Sequence, residues 1–356
     1  MAFIDQVLQP PSYGWQDEKG ELIKPSKKKI VSEMLMRINV FKSIKNWSAA
    51  VGWFWVLCLL PGFVVFLTFY FNWWLVLAMI VYGLVIMSTH GTIWYHRYCT
   101  HNAYTFRHPI WRFITQNLVV KLIPEEVYVV SHHVHHLKSD KPGDPYNTAA
   151  GFLYCFLADT NHQPIAKDMD EETYERTTLF LKHTGIKMNS YKQYQKWGSI
   201  AHPLNTAFLW VLNWGFWYTA FYLVGGHALA LALFSGAMLW VIGVRTFNYN
   251  GHGGGEDKRV EGFDFSTNDL SINQYRPGLL SGEWHNNHHL YPKSARAGFL
   301  PNQLDLAWCY IFGMYKLGAV KSYHDNKKQF LEHYYIPYQK SLLEKKSNRV
   351  EQEELA

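Results

Sequence analysis

The 356-residue sequence has few cysteines, and they lack the spacings found in disulfide frameworks or thiolate metal sites. It contains only Cys58, Cys99, Cys155 and Cys309, and no two of them form a CxxC pair. Structural zinc sites commonly use closely spaced cysteines, and disulfide-stabilised domains need several pairs. The sequence therefore predicts neither of these classes.

Charged residues are absent from two long stretches, residues 46–96 and 197–244, although the chain carries 34 Lys and Arg and 28 Asp and Glu elsewhere. A membrane-spanning helix needs about 20 apolar residues, so each stretch is long enough for two spans and a tight turn. These lengths predict an all-α integral membrane protein whose four transmembrane helices form two hairpins. The predicted spans are residues 50–70, 73–95, 205–224 and 228–247.

Basic residues flank the predicted hairpins on one side only. Lys42 precedes the first span and Arg97 follows the second, whereas the turns at 71–72 and 225–226 are uncharged. By the positive-inside rule, the polar segments lie in the cytoplasm, where they form a helical cap. The predicted units are a basic leader with an interfacial helix (1–45), hairpin 1 (46–96), the first part of the cap (97–196), hairpin 2 (197–247), the second part of the cap (248–326) and a charged C-terminal tail (327–356).

The net charge of +6 suits a protein that contacts anionic membrane lipid, and no segment resembles a nucleic-acid-binding module. We therefore predict no nucleic-acid partner, and a multi-pass protein of the bacterial inner membrane or the endoplasmic reticulum. Residues 111–130 are apolar enough to suggest a fifth span, but Arg112, Lys121 and Glu125 would be costly in lipid. That segment is predicted to be one helix lying under the membrane.

Eighteen histidines include three clusters, which the predicted topology places at the cytoplasmic face. The clusters are HRYCTH at 96–101, HHVHH at 132–136 and HNNHH at 285–289. Residues at i, i+3 and i+4 share one helix face, so the second and third clusters can each present three imidazoles together. His96 and His101 would be about 140° out of phase on a regular helix. The first cluster therefore needs a helix distortion or a wide site with metals on both sides.

These three clusters contain more histidines than one metal ion can bind, which favours a site for two metals. Imidazole suits iron, zinc, copper and nickel, so the ligand type does not name the metal. An exposed helix with surface histidines would explain one HxxHH motif, but three clusters on one side of a membrane protein argue against it. Histidines without partner spacing are predicted to be surface or interfacial residues: His108, His162, His183, His202, His227, His324 and His333.

The three clusters, with GDPY at 143–146 and LYPKSARAGF at 290–299, resemble those of the membrane fatty-acid desaturases, specifically the Δ9 acyl-CoA or acyl-lipid group. The resemblance implies a cap that holds a di-iron centre with nine histidine ligands and one asparagine that reaches an iron through water. The ninth histidine belongs to an NxxxH element, here residues 248–252. The implied ligands are His96, His101, His132, His135, His136, His252, His285, His288 and His289, with Asn248 at the water-mediated position.

Carboxylates near such a centre would orient the imidazoles rather than bind the metals. For each candidate, a salt bridge or a helix cap is the alternative role. The candidate carboxylates are Glu126, Asp140, Asp144, Asp269 and Glu283.

His133 follows His132 by about 100° of helix rotation, so it is predicted to point away from the metals.

The resemblance implies an oxidoreductase similar to stearoyl-CoA 9-desaturase, which places a cis double bond in a saturated acyl-CoA or acyl-lipid chain using O2 and two electrons. The sequence has no heme, flavin or ferredoxin motif, so we expect a separate electron donor of the ferredoxin or cytochrome b5 type. A hydroxylase on the same scaffold is the alternative enzyme. A histidine-rich metal carrier is the non-enzymatic alternative, although apart from His90 and His227 the spans lack the ionisable groups that a carrier needs.

Overall fold

The computed structural model describes residues 2–158, 162–274 and 284–354, and these are mainly helical. One small antiparallel sheet pairs β1 (Tyr104–Phe106) with β2 (Val320–Tyr323). The described α-helices are α1 (Lys27–Ile38), α2 (Trp47–Phe69), α3 (Trp73–Ile86), α4 (Pro109–Gln116), α5 (Glu125–Lys138), α6 (Phe152–Phe156), α7 (Glu171–Leu179), α8 (Tyr191–Trp197), α9 (Pro203–Asn250), α10 (His285–Leu290), α11 (Leu306–Lys316), α12 (Lys327–Phe330) and α13 (Ile336–Glu354). Two π-helices, Met87–Thr100 and Leu331–Tyr335, continue α3 and α12.

Among the described residues, two helices are long and apolar enough to cross a membrane. One runs without a break from Trp73 to Thr100, and the other is α9. Ile44–Val51 and Trp53–Phe69, bent by 47° relative to each other, would make a third if the pair is one span. The fold is therefore that of a membrane protein, as the uncharged stretches predicted.

Two glycines interrupt α9 near its middle. Gly225 has a φ of −149°, and Gly226 has a φ of 66°. Positive φ is unfavourable for residues with a Cβ, so glycine at position 226 allows a turn that other residues would adopt only with strain. The break falls where the sequence predicted the turn of the second hairpin. A straight helix of 48 residues would be about 72 Å long, more than twice the thickness of the hydrocarbon layer.

Close backbone packing joins α3 to the second half of α9. A Cβ placed on Gly83 would lie 2.8 Å from the carbonyl oxygen of Gly236, so only glycine fits at this crossing. Small residues commonly let helices in membranes approach in this way. The contact fixes the helix that carries the first histidine cluster against α9, which leads to His252.

The first histidine cluster lies at the end of the π-helix Met87–Thr100. A π-helix is closed by bonds between residues five apart, and the amide of His101 donates to the carbonyl of His96 at 3.1 Å. The wider turn brings the two imidazoles to the same side, with ring centroids 4.9 Å apart. The helix distortion that the HxxxxH spacing required is therefore present.

The N-terminal leader packs on the cap. Val7 and Leu8 are buried, and the amide of Ala166 donates to the carbonyl of Val7 at 2.9 Å. The amide of Gln9 donates to the carbonyl of Pro164 at 2.8 Å. The helix expected in the leader corresponds to α1, and Val7 and Leu8 before it belong to the hydrophobic core.

Two predictions from the sequence were wrong. Residues 111–130 do not form one helix, because α4 ends at Gln116 and α5 begins only at Glu125. Pro124 disfavours helical backbone at the residue before it, which separates the two helices. His162, predicted to lie at the surface, is fully buried beneath the leader and is hydrogen-bonded to the hydroxyl of Tyr13.

Candidate metal centre

The nine histidines implied by the sequence converge in the cap, where they form two groups. Within each group, one ring nitrogen from every histidine lies within 4.8 Å of those of the others. The presence of two groups matches the two metals expected from the number of histidines. The five-histidine group is His96, His101, His132, His136 and His288, and the four-histidine group is His135, His252, His285 and His289.

The Nε2 atoms in each group face one another at spacings that suit a shared ion. His288 Nε2 lies 3.0 Å from His96 Nε2 and 2.9 Å from His136 Nε2. In the other group, His285 Nε2 lies 3.0 Å from His252 Nε2. Two nitrogens bound to one ion at about 2.1 Å would be about 3.0–3.4 Å apart in octahedral or tetrahedral geometry. The spacing of these atoms therefore fits one ion per group.

Each group also contains a buried nitrogen that needs a partner. Within the described ranges, His101 Nε2 and His289 Nε2 are buried and have no hydrogen-bonding partner. A buried polar atom without a hydrogen-bonding partner lowers the stability of the fold by about 1–3 kcal/mol. Coordination would satisfy both atoms, so the residues of both groups fit a metal.

Two helices each supply ligands to both groups, which fixes the groups relative to each other. On α5, His132 and His136 belong to the five-histidine group and His135 to the four-histidine group. On α10, His288 belongs to the five-histidine group, and His285 belongs to the four-histidine group. The i, i+3, i+4 spacing places these imidazoles on one helix face, and that face lies between the two metal positions.

Three of the five predicted carboxylates orient imidazoles of the four-histidine group. A histidine that donates from Nδ1 to a carboxylate keeps the Nε2 lone pair available for a metal. The sequence prediction for these three residues is therefore consistent with the contacts observed. The bonds run from His135 Nδ1 to Asp144 at 2.9 Å, from His252 Nδ1 to Asp140 at 3.1 Å and from His289 Nδ1 to Asp269 at 2.7 Å.

The Asp269–His289 pair has the charge state that metal binding requires. Burial alone would raise the pKa of Asp269, but the hydrogen bond from His289 holds that pKa well below its usual range. Burial lowers the pKa of His289 to about 4. At neutral pH the pair is therefore a carboxylate beside a neutral imidazole.

Replacing Asp269 with asparagine should weaken metal binding by about 10–100-fold, because partners of this kind hold the imidazole in its binding orientation. The measurement is a metal titration of the metal-free protein against a competing chelator. Asp257→Asn is the control, because the Asp257 side chain is 56% exposed and pairs with Arg259 at the surface. Equal metal affinity in Asp269→Asn and the unmodified protein would refute the assigned role.

Glu126, another of the predicted carboxylates, has no contact with the two histidine groups. Glu126 lines a small cavity with Trp47 and Ser48, and burial raises its pKa to about 7. Among the residues that the structure describes, it makes no hydrogen bond with a histidine. Glu283 lies outside the described residues.

His133 lies outside both histidine groups. Its ring stacks on Phe180 with centroids 4.3 Å apart and an interplanar angle of 26°. Burial lowers the pKa of His133 to about 4. The ring that joins the five-histidine group at this end of α5 is that of His132, as the helical spacing predicted.

Asn286 supports the site in a way that sequence reasoning missed. Its buried amide accepts from the backbone N–H of Ser266 at 2.7 Å and donates to the carbonyl of Ser271 at 2.6 Å. The backbone N–H of Ser271 in turn donates to Asp269 at 3.0 Å. Asn286 therefore holds the loop that carries Asp269, and the only trace in the sequence is an amide between two histidines of the third cluster.

A largely apolar cavity opens onto both histidine groups. It is bounded by the π-helix Met87–Thr100, by α5 and by the end of α9. An apolar chain in this space would lie beside both metal positions. The lining residues are Met87, Gly91, Thr92, His96, Tyr128, His132, His135, Tyr146, Val244, Phe247, Asn248, His252 and His285.

Comparison with known proteins gives consistent matches. Residues 71–339 match the family model described as fatty acid desaturase. The Delta-9 desaturase-like 2 protein of Arabidopsis thaliana is 28% identical over 236 residues, which is 64% of this chain and 69% of that protein. Delta-9 acyl-lipid desaturase 2 of the same plant is 28% identical over 249 residues, 67% of this chain and 71% of that protein. Icosanoyl-CoA 5-desaturase of Limnanthes douglasii is 26% identical over 272 residues, 70% of this chain and 65% of that protein.

The match to the family model spans well over half of the chain and includes all nine histidines. The relatives are desaturases of fatty acyl groups, and the resemblance inferred from the histidine clusters is confirmed. The chain therefore belongs to the membrane fatty acid desaturase family, whose members are oxidoreductases of lipid metabolism.

Proposed function

We propose that the protein is an O2-dependent desaturase that places a cis double bond, at the Δ9 position, in a saturated acyl chain. The observation that carries this proposal is the apolar cavity, which contacts histidines of both groups. The nine histidines fit two iron ions, which would supply the O2 reduction needed to oxidise an unactivated methylene, chemistry that redox-inactive zinc does not offer.

The chain's own residues hold the acyl chain and limit the access of water. Met87, Val244 and Phe247 form an apolar wall beside the histidines. Asn248 lines the same cavity, and we assign it to hold a water molecule next to the metals. The overall reaction removes two hydrogens from adjacent carbons, takes up two electrons and two protons, and reduces O2 to two molecules of water.

The substrate is proposed to be a long-chain acyl-CoA or acyl-lipid, because relatives with names of both kinds match the chain. Electrons would come from a separate protein of the ferredoxin or cytochrome b5 type. We further propose four spans, with both termini and the cap in the cytoplasm. The turn at Gly225 and Gly226 supports this topology by dividing α9 into two spans.

Single cysteines introduced at Asn72 and at Val224, in a background with Cys58 and Cys309 replaced by alanine, should be labelled only from the side opposite the cap, because both turns are uncharged and the basic residues flank the other ends of the spans. The measurement uses a membrane-impermeant maleimide on sealed vesicles of known orientation. A cysteine at Lys258, which is exposed in the cap, is the control. Labelling of Asn72 together with Lys258 would contradict the four-span topology.

Expression in a host that lacks its own desaturase tests the activity. Mass spectrometry of the fatty acids should show a new double bond at carbon 9 of saturated chains. The His288→Ala variant, which lacks a member of the five-histidine group, is the control and should give no product. Hydroxylated fatty acids would instead show that the protein is a hydroxylase, and unchanged fatty acids with a competent electron donor present would refute the proposed activity.

A further inference from the structure

The segment between the first two histidine clusters has an unusual pattern of exposure. The apolar residues of α4 are exposed: Ile110 by 48%, Trp111 by 40%, Phe113 by 60% and Ile114 by 41%. The only charged residue of this helix, Arg112, lies against the cap at Gly185. A helix on an aqueous surface would show the reverse arrangement, with apolar residues inside and the charge outside.

The backbone that follows α4 is not helical, and its polar groups are satisfied by side chains of α9. Three α9 residues donate to carbonyls in residues 117–121, and one of them also accepts from an amide of that stretch. The bonds are Trp217 Nε1 to the Asn117 carbonyl at 3.0 Å, Asn213 Nδ2 to the Val119 carbonyl at 3.1 Å, Trp214 Nε1 to the Lys121 carbonyl at 2.8 Å, and the Lys121 amide to Asn213 Oδ1 at 3.0 Å.

These partners lie deep in α9. Asn213 and Trp217 follow Pro203, the first residue of α9, by about 15 Å and 21 Å at 1.5 Å per residue. The hydrocarbon layer is about 30 Å thick, so its middle lies about 15 Å from either surface. With Pro203 at the surface of the layer that α9 crosses, the stretch 117–121 lies near the middle of that layer.

The helix Trp73–Thr100 also contacts the stretch 117–121 and indicates a similar depth for it. The hydroxyl of Tyr82 accepts from the amide of Val120 at 3.5 Å. Tyr82 follows Trp73, the first residue of α3 after the turn opposite the cap, by about 14 Å along the helix. Two helices therefore place the same stretch well inside the apolar layer.

We propose that residues 107–124 form a re-entrant segment, which enters the hydrocarbon layer from the cap side and returns, with the exposed apolar face of α4 contacting lipid acyl chains. Irregular backbone is tolerated at such depth only where protein satisfies its polar groups, and the α9 side chains do so. Charged side chains inside the membrane need a partner of opposite charge. Lys121 has one, because it pairs with Glu125 at 3.0 Å and both side chains are buried. The inference rests on the proposed membrane topology.

Lipid acyl chains are the occupant because the exposed face of α4 continues the apolar surface of the spanning helices. Leu67 on α2 and Leu212 on α9 are exposed by 42% and 54%, as expected of side chains that face lipid. Leu179, on α7 of the cap, is exposed by 62%, which is similar to Phe113. Exposure alone therefore does not separate lipid from water, and the depth of each position must be measured.

Spin labels at single cysteines measure that depth in the full-length protein. Phe113→Cys and Ile110→Cys are made in a background with Cys58 and Cys309 replaced by alanine, and the labelled proteins are placed in phosphatidylcholine liposomes. Power saturation then compares access of oxygen, which concentrates in hydrocarbon, with access of a water-soluble nickel chelate. Leu60→Cys, near the middle of α2 at a position 41% exposed, is the control for lipid, and Leu179→Cys, with an exposure similar to that of Phe113, is the control for water.

The re-entrant segment predicts that the Phe113 label resembles the Leu60 label, with oxygen access above nickel access, and lies deeper than the Ile110 label. Nickel access equal to that of the Leu179 label would overturn the inference. Equal, shallow depths at Phe113 and Ile110 would also overturn it, because α4 would then lie flat among the headgroups. If the Leu60 label itself were accessible to nickel, the proposed topology would fail instead.

Discussion

Replacing His132 with alanine is expected to reduce desaturation by at least about a hundredfold. Loss of a residue that only orients a metal ligand can already reduce activity by that factor. His132 belongs to the five-histidine group, and its Nε2 lies 3.2 Å from His136 Nε2. The variant removes an imidazole that no neighbouring side chain replaces in that group. The measurements are product formation and metal content of the purified protein.

His133→Ala is the matched control, because it removes the adjacent imidazole on the same helix. The His133 ring stacks on Phe180 and belongs to neither histidine group. This variant should keep both metals and most of the activity, with some loss of stability from the lost ring contact. An inactive, metal-depleted His133→Ala beside an active His132→Ala would show that the ligands of α5 are wrongly assigned.

Replacing Arg97 with alanine should lower the free energy of unfolding by about 3–5 kcal/mol, because it leaves a buried carboxylate without its partner. Arg97 pairs with Asp305 at 2.9 Å, and both side chains are only 2% exposed. Arg97 also donates to the carbonyl of Ala295 at 2.6 Å. It thereby joins the first histidine cluster to the chain that follows the third.

Chemical unfolding of the metal-free protein in detergent micelles measures this loss without a contribution from metal binding. Arg349→Ala is the control, because Arg349 pairs with Glu353 on the last helix and the two side chains are 80% and 64% exposed. The control should change the stability far less than Arg97→Ala. Equal unfolding curves for Arg97→Ala and the unmodified protein would contradict the buried ion pair as a support of the cap.

The sequence was sufficient to predict eight of the nine histidines that the structure brings together, because the chemistry and spacing of the three clusters are local properties. The i, i+3, i+4 spacing placed His132 beside His136 and separated both from His133. The distortion needed for His96 and His101 could also be predicted, although only the structure identifies it as a π-helix. His252 could be selected only by resemblance, since an isolated histidine after a span has no distinctive spacing.

Long-range packing explains what the sequence could not predict. His162 is buried because the leader folds over it, and a basic, proline-containing leader gives no indication of that contact. Residues 111–130 were predicted to be one helix because their composition is apolar, whereas side chains of α9, about 90 residues away, hold residues 117–121 in an irregular conformation. Asn286 was missed for the same reason, since its partners lie in a loop before the third cluster.

Iron content measured together with activity tests the central claim, that the two histidine groups hold two metals used in desaturation. The protein is purified after growth with iron, its iron is counted per chain, and the same sample is assayed for a new double bond with O2 and an electron donor. We expect two irons per chain, with activity that rises and falls with that number, because each group fits one ion. A fully active preparation that consistently holds one iron per chain would contradict the account.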